Sequence, residues 1–156
     1  MIPALRNFLR ALAAPAGAPE RAAITVELAT AVLLVEAMRA DRGMDPAERA
    51  AVARGLKERF ALGEADVQEL LASAEAHSAQ GNDFFSFTSV LNERLSHPQK
   101  IEVIELMWRV AYVDGSADAG ESHVISKLAG LLHVTHGEYI AAKLHARQAA
   151  DSSEAG

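Results

Sequence analysis

Hydrophobic residues recur at helical spacing along most of the chain, at positions three and four apart. In the stretches 24–38 and 101–113 they are too numerous for a single face of a helix. Helices that are apolar on several faces are usually central and packed on most sides. β-Branched residues occur singly or in pairs, and no alternating run is bounded by hairpin turns. The pattern therefore predicts an all-α protein with these two segments inside.

Helix-start signals divide this pattern into separate elements. Residues 45–48 have the sequence Asp-Pro-Ala-Glu, in which an acidic N-cap is followed by proline in the first turn and glutamate at the third position. Residues 118–121 (Asp-Ala-Gly-Glu) and 135–138 (Thr-His-Gly-Glu) have the same form of capping box. We therefore expect about seven to eight helices in a single compact domain, near 2–13, 20–40, 46–60, 64–80, 84–95, 98–113, 119–132 and 136–150.

Composition narrows the class of protein. The chain of 156 residues has no cysteine, which excludes zinc sites built on thiolates, disulfide scaffolds and thiol nucleophiles. Half of the residues are hydrophobic and only 5% are aromatic. Alanine is abundant, which lets helix axes approach closely. The larger aromatic side chains are expected in the core rather than around a ligand: Phe60, Phe84, Phe85, Phe87 and Trp108.

Charge and targeting signals give further expectations. There are 15 basic against 21 acidic residues, a net charge of −6. An excess of acids argues against nucleic acid as a partner, because binding to the phosphate backbone depends on Lys and Arg. The N-terminus lacks the uninterrupted apolar region of a signal peptide, and no stretch is long and apolar enough to span a membrane. The expected location is the cytoplasm.

The first 19 residues form a region of their own. Residues 14–19 (Ala-Pro-Ala-Gly-Ala-Pro) are typical of a linker. Before them, residues 2–13 have helical periodicity, which predicts an amphipathic helix. Such a helix has three open roles: weak contact with a membrane surface at its inner face, contact with a partner, or docking on the domain's own core. We expect residues 20–150 to form the domain and 151–156 a flexible tail. The apolar face of the helix comprises Ile2, Leu5, Phe8, Leu9 and Leu12, with Arg6 and Arg10 beside it.

Aligning the sequence with itself at an offset of 73 positions pairs residues 33–54 with residues 106–127 and reveals an internal repeat. Three of the four identical pairs in this comparison are carboxylates with the spacing Asp-x3-Asp-x2-Glu. In each copy an apolar helix leads into the first Asp, and the next helix starts at the second. The chain therefore resembles two pseudo-repeated helical hairpins. The six repeated acids are Asp41, Asp45 and Glu48 in the first copy and Asp114, Asp118 and Glu121 in the second.

Two explanations for the repeated acids remain open. Helix capping accounts for the second and third acid of each copy, since each cap contributes about 1 kcal/mol. It does not account for Asp41 and Asp114, which follow a helix C-terminus, where the dipole disfavours an anion. A divalent cation such as Ca²⁺ or Mg²⁺ would account for all six, because it takes hard oxygen ligands. In the first copy, nearby Arg39, Arg42 and Arg49 could pair with the acids instead.

These residues resemble a known family. The apolar helix followed by Val113-Asp114-Gly, with Asp118 and Glu121 after it, looks like the tellurite-resistance TerB-like domain. The earlier copy around Asp41 is similar to that family's first half, and the resemblance covers roughly 24–145. It implies an all-helical domain of two hairpin halves, whose six acids would be metal ligands, and a link to tellurite and general stress resistance. Arg42 departs from the pattern, because the second copy has Gly115 there.

Catalysis is not expected from this sequence. Paired carboxylates need a pocket that separates their pKa values, which acids at solvent-facing helix starts rarely have. The serines lack a nucleophile-elbow context, and no phosphate-binding loop is present. We expect a non-catalytic stress-response module that binds a divalent cation and a protein partner. The alternative is a plain helical protein-interaction module whose acids only cap helices.

Overall fold

The computed structural model describes residues 24–39, 44–79, 84–114 and 119–155. This part of the chain is entirely helical, with seven α-helices and no strand. The helices are α1 (Val26–Met38), α2 (Pro46–Phe60), α3 (Glu64–Ala79), α4 (Phe84–Arg94), α5 (His97–Ala111), α6 (Ala119–Leu131) and α7 (His136–Ala155), with a 3-10 turn, Tyr112–Asp114, after α5. The all-α prediction is confirmed.

Helix α1 is the central element of the domain. Ten of its 13 residues are buried, and it packs against α2, α3, α4, α5 and α6. It begins later than predicted because Thr25 is its N-cap: the Thr25 hydroxyl accepts a hydrogen bond from the Leu28 N–H at 3.0 Å. Just before it, the carbonyl of the fully buried Ile24 accepts a hydrogen bond from Arg94 at 2.8 Å. The first segment predicted to be apolar on several faces is therefore internal.

Helix α5 is less enclosed than the sequence suggests. One face packs on the core through Val103, Ile104, Met107 and Trp108. The opposite face is polar, and Val113 in the following 3-10 turn is 42% exposed. The most extensive partner of α5 is α7, which does not pack against α1 to any comparable extent. The molecule is thus arranged as helices around α1, with α7 laid over α5.

The helix boundaries follow local hydrogen bonds closely. Helices α2 and α6 begin at Pro46 and Ala119, as predicted, and these two starts keep the 73-residue shift of the sequence repeat. The likeness of the two hairpins in three dimensions stays a prediction. Helix α7 continues to Ala155, beyond its predicted end near 150 and into the expected tail. The predicted helix at 2–13 and the linker at 14–19 lie outside the described residues.

One aromatic prediction was wrong. Phe87 and Trp108 are fully buried, and Phe60 and Phe84 pack against the core. Phe85, however, is 64% exposed. Successive residues of a helix point about 100° apart, and at the start of α4 only one side of the helix lies against the core, so Phe84 contacts the core and Phe85 points to solvent. The spacing of Phe84 and Phe87 places those two on the inner side.

Candidate functional site

The first acidic turn joins α1 to α2, and the structure describes its second half. The Asp45 Oδ1 accepts a hydrogen bond from the Glu48 N–H at 2.8 Å. In return, the Glu48 Oε1 accepts one from the Asp45 N–H at 3.3 Å. Both halves of the predicted capping box are therefore present at the start of α2. Asp41, the other acid of this copy, lies outside the described residues, as does Arg42.

Glu48 is buried, with 7% of its surface exposed, whereas Asp45 is exposed. A buried carboxylate costs free energy unless it is paired or hydrogen-bonded. Among the described side chains, no cation forms an ion pair with either acid. The capping box uses one oxygen of each carboxylate, and the second oxygen has no donor within that part of the chain.

The neighbouring arginines are engaged elsewhere. Arg49 donates to Glu75 at 2.9 Å and to Gln68 at 3.2 Å, both on α3. Arg39 donates to the Ser78 hydroxyl at 2.9 Å, and Ser78 in turn is hydrogen-bonded to Glu36. One alternative from the sequence was that Arg39 and Arg49 form ion pairs with the acids of this turn. Their contacts with described residues instead fasten α3 to α1 and α2.

The second acidic turn lies between α5 and α6. Asp114 is the last residue of the 3-10 turn, and Glu121 lies in the first turn of α6. Asp118 and the side chains of Asp114 and Glu121 are outside what the structure describes. In the described ranges, no group of three or more histidines or carboxylates is placed to hold a metal ion. Since several of the six acids are not among the residues searched, the metal site stays a prediction.

The start of α7 confirms another predicted capping box. The Thr135 hydroxyl accepts from the Glu138 N–H at 3.2 Å, and the Glu138 Oε1 accepts from the Thr135 N–H at 2.9 Å. The same carboxylate lies 2.8 Å from the His97 Nε2 at the start of α5. The Thr135 N–H first, and His97 second, hold the pKa of Glu138 below its ordinary value of 4.5. This cap therefore also fastens α7 to α5.

A groove that the sequence did not predict runs along the polar face of α5, between α2 and α7. We call it the α5 groove. It consists of two adjoining depressions of about 430 and 490 Å³, which share Glu58 and Arg109. The sequence does show charged residues at helical spacing on α5, and these indicate that one face of α5 is polar. They do not indicate that α2 and α7 flank that face. The groove is lined by Arg54, Gly55, Glu58 and Arg59 of α2, by Glu102, Glu105, Leu106, Arg109, Tyr112 and Val113, and by Ala146, Ala149 and Ala150 of α7.

The described part of the chain is an all-helical domain, and none of the helices in it is long and apolar enough to cross a bilayer. A family model described as tellurite resistance protein TerB matches residues 27–144. The match covers most of the chain, so the chain belongs to the TerB family. No curated protein and no solved structure matches it. The resemblance that the acidic turns indicated is confirmed.

Proposed function

We propose that this chain is a non-catalytic stress-response module of the tellurite-resistance type, which binds a divalent cation through its acidic turns and acts through a protein partner. Membership of the TerB family is the observation that supports the functional class. The cytoplasm is the proposed location. Nucleic acid is not among the proposed partners, because the chain has a net charge of −6.

The buried carboxylate of Glu48 supports the cation part of the proposal. Its capping bond is with a backbone N–H, and no described cation is paired with it. Ca²⁺ or Mg²⁺ would compensate the charge, because both prefer carboxylate oxygens and backbone carbonyls. Asp45 offers a second oxygen three residues away. Asp41, and likewise Asp114, Asp118 and Glu121 in the other turn, complete the proposed ligand set.

A second candidate function has its own support. The capping box between Asp45 and Glu48 is complete, so capping alone is a sufficient reason for these two residues. In that case the chain is a plain helical protein-interaction module without a cation. The two candidates differ in the role of charge, because a cap needs only an acceptor oxygen whereas a divalent cation needs carboxylates.

Amide substitutions separate the two candidates. Asn is as good an N-cap as Asp, and Gln can close a capping box in place of Glu. The double variant Asp45→Asn with Glu48→Gln therefore keeps the cap and removes two charges. Asp118→Asn with Glu121→Gln is the corresponding change in the second turn, where the sequence predicts the same capping box. The matched control is Glu69→Gln, which changes an exposed glutamate of α3.

Calorimetry with Ca²⁺, Mg²⁺ and Mn²⁺ measures the result. We expect the wild type and the Glu69→Gln control to bind metal and to rise in Tm, since a ligand at 100 times its Kd adds about 2.7 kcal/mol to stability. Each double variant should bind metal more weakly while its Tm without metal stays close to that of the wild type. Absence of heat and of a Tm shift in the wild type at millimolar metal would end the cation proposal and leave the interaction module.

A further inference from the structure

We propose that the α5 groove is the docking site for the chain's own N-terminal segment, residues 2–13. The groove is open along one side and is flanked by a helix on each of the other two sides, so that a single helix could lie in it. Its floor is the outer face of α5 from Glu102 to Val113, and its walls are the second half of α2 and the second half of α7. At 1.5 Å per residue this floor is about 16 Å long.

An ion pair on one side and a histidine–carboxylate hydrogen bond on the other connect both walls of the groove to its floor. On one side, Arg59 of α2 binds Glu102 at 2.7 Å. On the other, His145 of α7 lies 2.5 Å from the Glu105 carboxylate, which also binds Arg109 at 2.8 Å. The groove is thus formed before anything enters it, which lowers the cost of ordering an occupant.

Of the 13 residues that line the groove, six are charged and seven are small or apolar. Gly55 brings the backbone of α2 against Leu106, so that a Cβ at position 55 would come within 2.7 Å of the Leu106 Cδ1. Toward the other end, Tyr112 and the 42% exposed Val113 lie opposite small residues of α7. Small side chains allow close approach of a further helix axis. The small residues of the α7 wall are Ala146, Ala149 and Ala150.

The N-terminal segment matches this groove in length and in character. A helix over residues 2–13, which the sequence predicts, would be about 18 Å long. Its apolar residues fall on one face, which would contact Leu106 and Val113, and its arginines flank that face. Glu58 on the α2 wall has no ion pair among the described residues and is available to Arg6 or Arg10.

The described chain starts at a position from which the segment can reach the groove. The Ile24 carbonyl binds Arg94, three positions before α5 begins at His97. From there, Glu102 is less than two helical turns along α5. Residues 14–23 can span up to about 33 Å when extended. At such a tether length the local concentration of the segment is in the millimolar range, so modest contacts suffice to hold it.

Cross-linking in the full chain tests this proposal, and the absence of native cysteine makes it specific. Cysteine is introduced at Ala4, which is beside the predicted apolar face at the end of the segment away from Ile24, and at Ala150, on the groove wall beside Val113. The matched control pairs Ala4→Cys with Gln148→Cys, because Gln148 is exposed and lies two residues away on the other side of α7. A short bis-maleimide is then added to dilute protein, and intramolecular product is measured by mass spectrometry.

A docked segment gives at least several-fold more intramolecular product with Ala150→Cys than with Gln148→Cys. Adding Phe8→Asp, on the apolar face of the segment, abolishes that preference, whereas Asn7→Asp on the polar face preserves it. Equal yields at the two positions would overturn the proposal, as would product found only in dimers, which would mean a second copy. Equal yields together with sedimentation on phosphatidylglycerol vesicles would assign the segment to membranes instead.

Discussion

Two buried threonine hydroxyls show how much the surroundings of one atom matter. Thr30 is fully buried in α1, and its Oγ1 has no hydrogen-bond partner within the described residues. Thr88 is 2% exposed in α4, and its Oγ1 donates to the Phe84 carbonyl at 3.1 Å. An unpaired buried hydroxyl loses its hydration without compensation, at a cost of about 1–3 kcal/mol. The hydroxyl of Thr30 is therefore expected to destabilise the folded state.

We predict that Thr30→Val raises the free energy of unfolding by about 1 kcal/mol, because valine has nearly the same shape and no polar atom to bury. Thr88→Val is the matched control and should leave stability unchanged or lower it, since its hydroxyl is already hydrogen-bonded. Urea unfolding of the three proteins gives the comparison. If Thr30→Val is less stable than the wild type, the hydroxyl has a partner such as a buried water.

At the scale of elements, short capping sequences set where helices begin, and side chains beyond the caps set which helices pair. Ser96 and Gln99 form a capping box at α5, as Thr135 and Glu138 do at α7. His97, next to the first cap, binds Glu138 of the second. Lys143 lies over the Trp108 ring at 4.9 Å and adds a further contact between the same helices. A local signal at the start of α7 thus also takes part in its docking on α5.

The lowered pKa of Glu138 predicts an acid-sensitive contribution to stability. Because the folded pKa lies below the unfolded one, the contribution is complete above about pH 4.5 and is lost as the pH falls through the folded value. Glu138→Gln keeps a hydrogen-bond acceptor but removes the titrating group. Its stability should therefore fall less than that of the wild type between about pH 5 and pH 3.

Glu69→Gln serves as the control for this pH series, since it alters an exposed glutamate of α3. Chemical unfolding at each pH measures the slope of stability against pH. The prediction fails if Glu138→Gln and Glu69→Gln have the same slope.

At the scale of the whole molecule, α1 connects the other helices, because most of them pack against it. It packs against at least five of the six other described α-helices, so loss of its packing should affect both sides of the domain. The single tryptophan, Trp108, is buried on α5 and reports on the α5–α7 side. Far-UV circular dichroism reports on all helices together. These two signals can therefore reveal whether the domain unfolds as one unit.

We predict that Leu33→Ala, at a fully buried position of α1, lowers stability by about 2–5 kcal/mol. Tryptophan fluorescence and circular dichroism should shift by the same amount and remain superimposable, as for a two-state domain. Leu144→Ala, at a half-exposed position of α7, is the control and should change stability little. Separate transitions for the two signals would mean that α5 and α7 unfold independently of α1.

The sequence by itself determined the all-helical class, the starts of most described helices and the family. The starts of α2, α6 and α7 were predicted from short capping sequences, and the hydrogen bonds of the α2 and α7 caps join residues three positions apart. The acid spacing around Asp45 and Asp118 identified the TerB family for the same reason, since it is a local pattern. The Thr25 cap could also have been found from sequence, as a threonine directly before an apolar run.

Only the tertiary structure decided what lies between the helices. Periodicity shows that α5 has apolar residues on several faces, but not that α2 and α7 flank its polar side and leave the α5 groove open. Nor does the sequence show that Arg49 faces Glu75 on α3, or that Glu48 is buried without a paired cation among the described residues. Such contacts join residues far apart in the chain, and packing rather than local hydrogen bonding selects them.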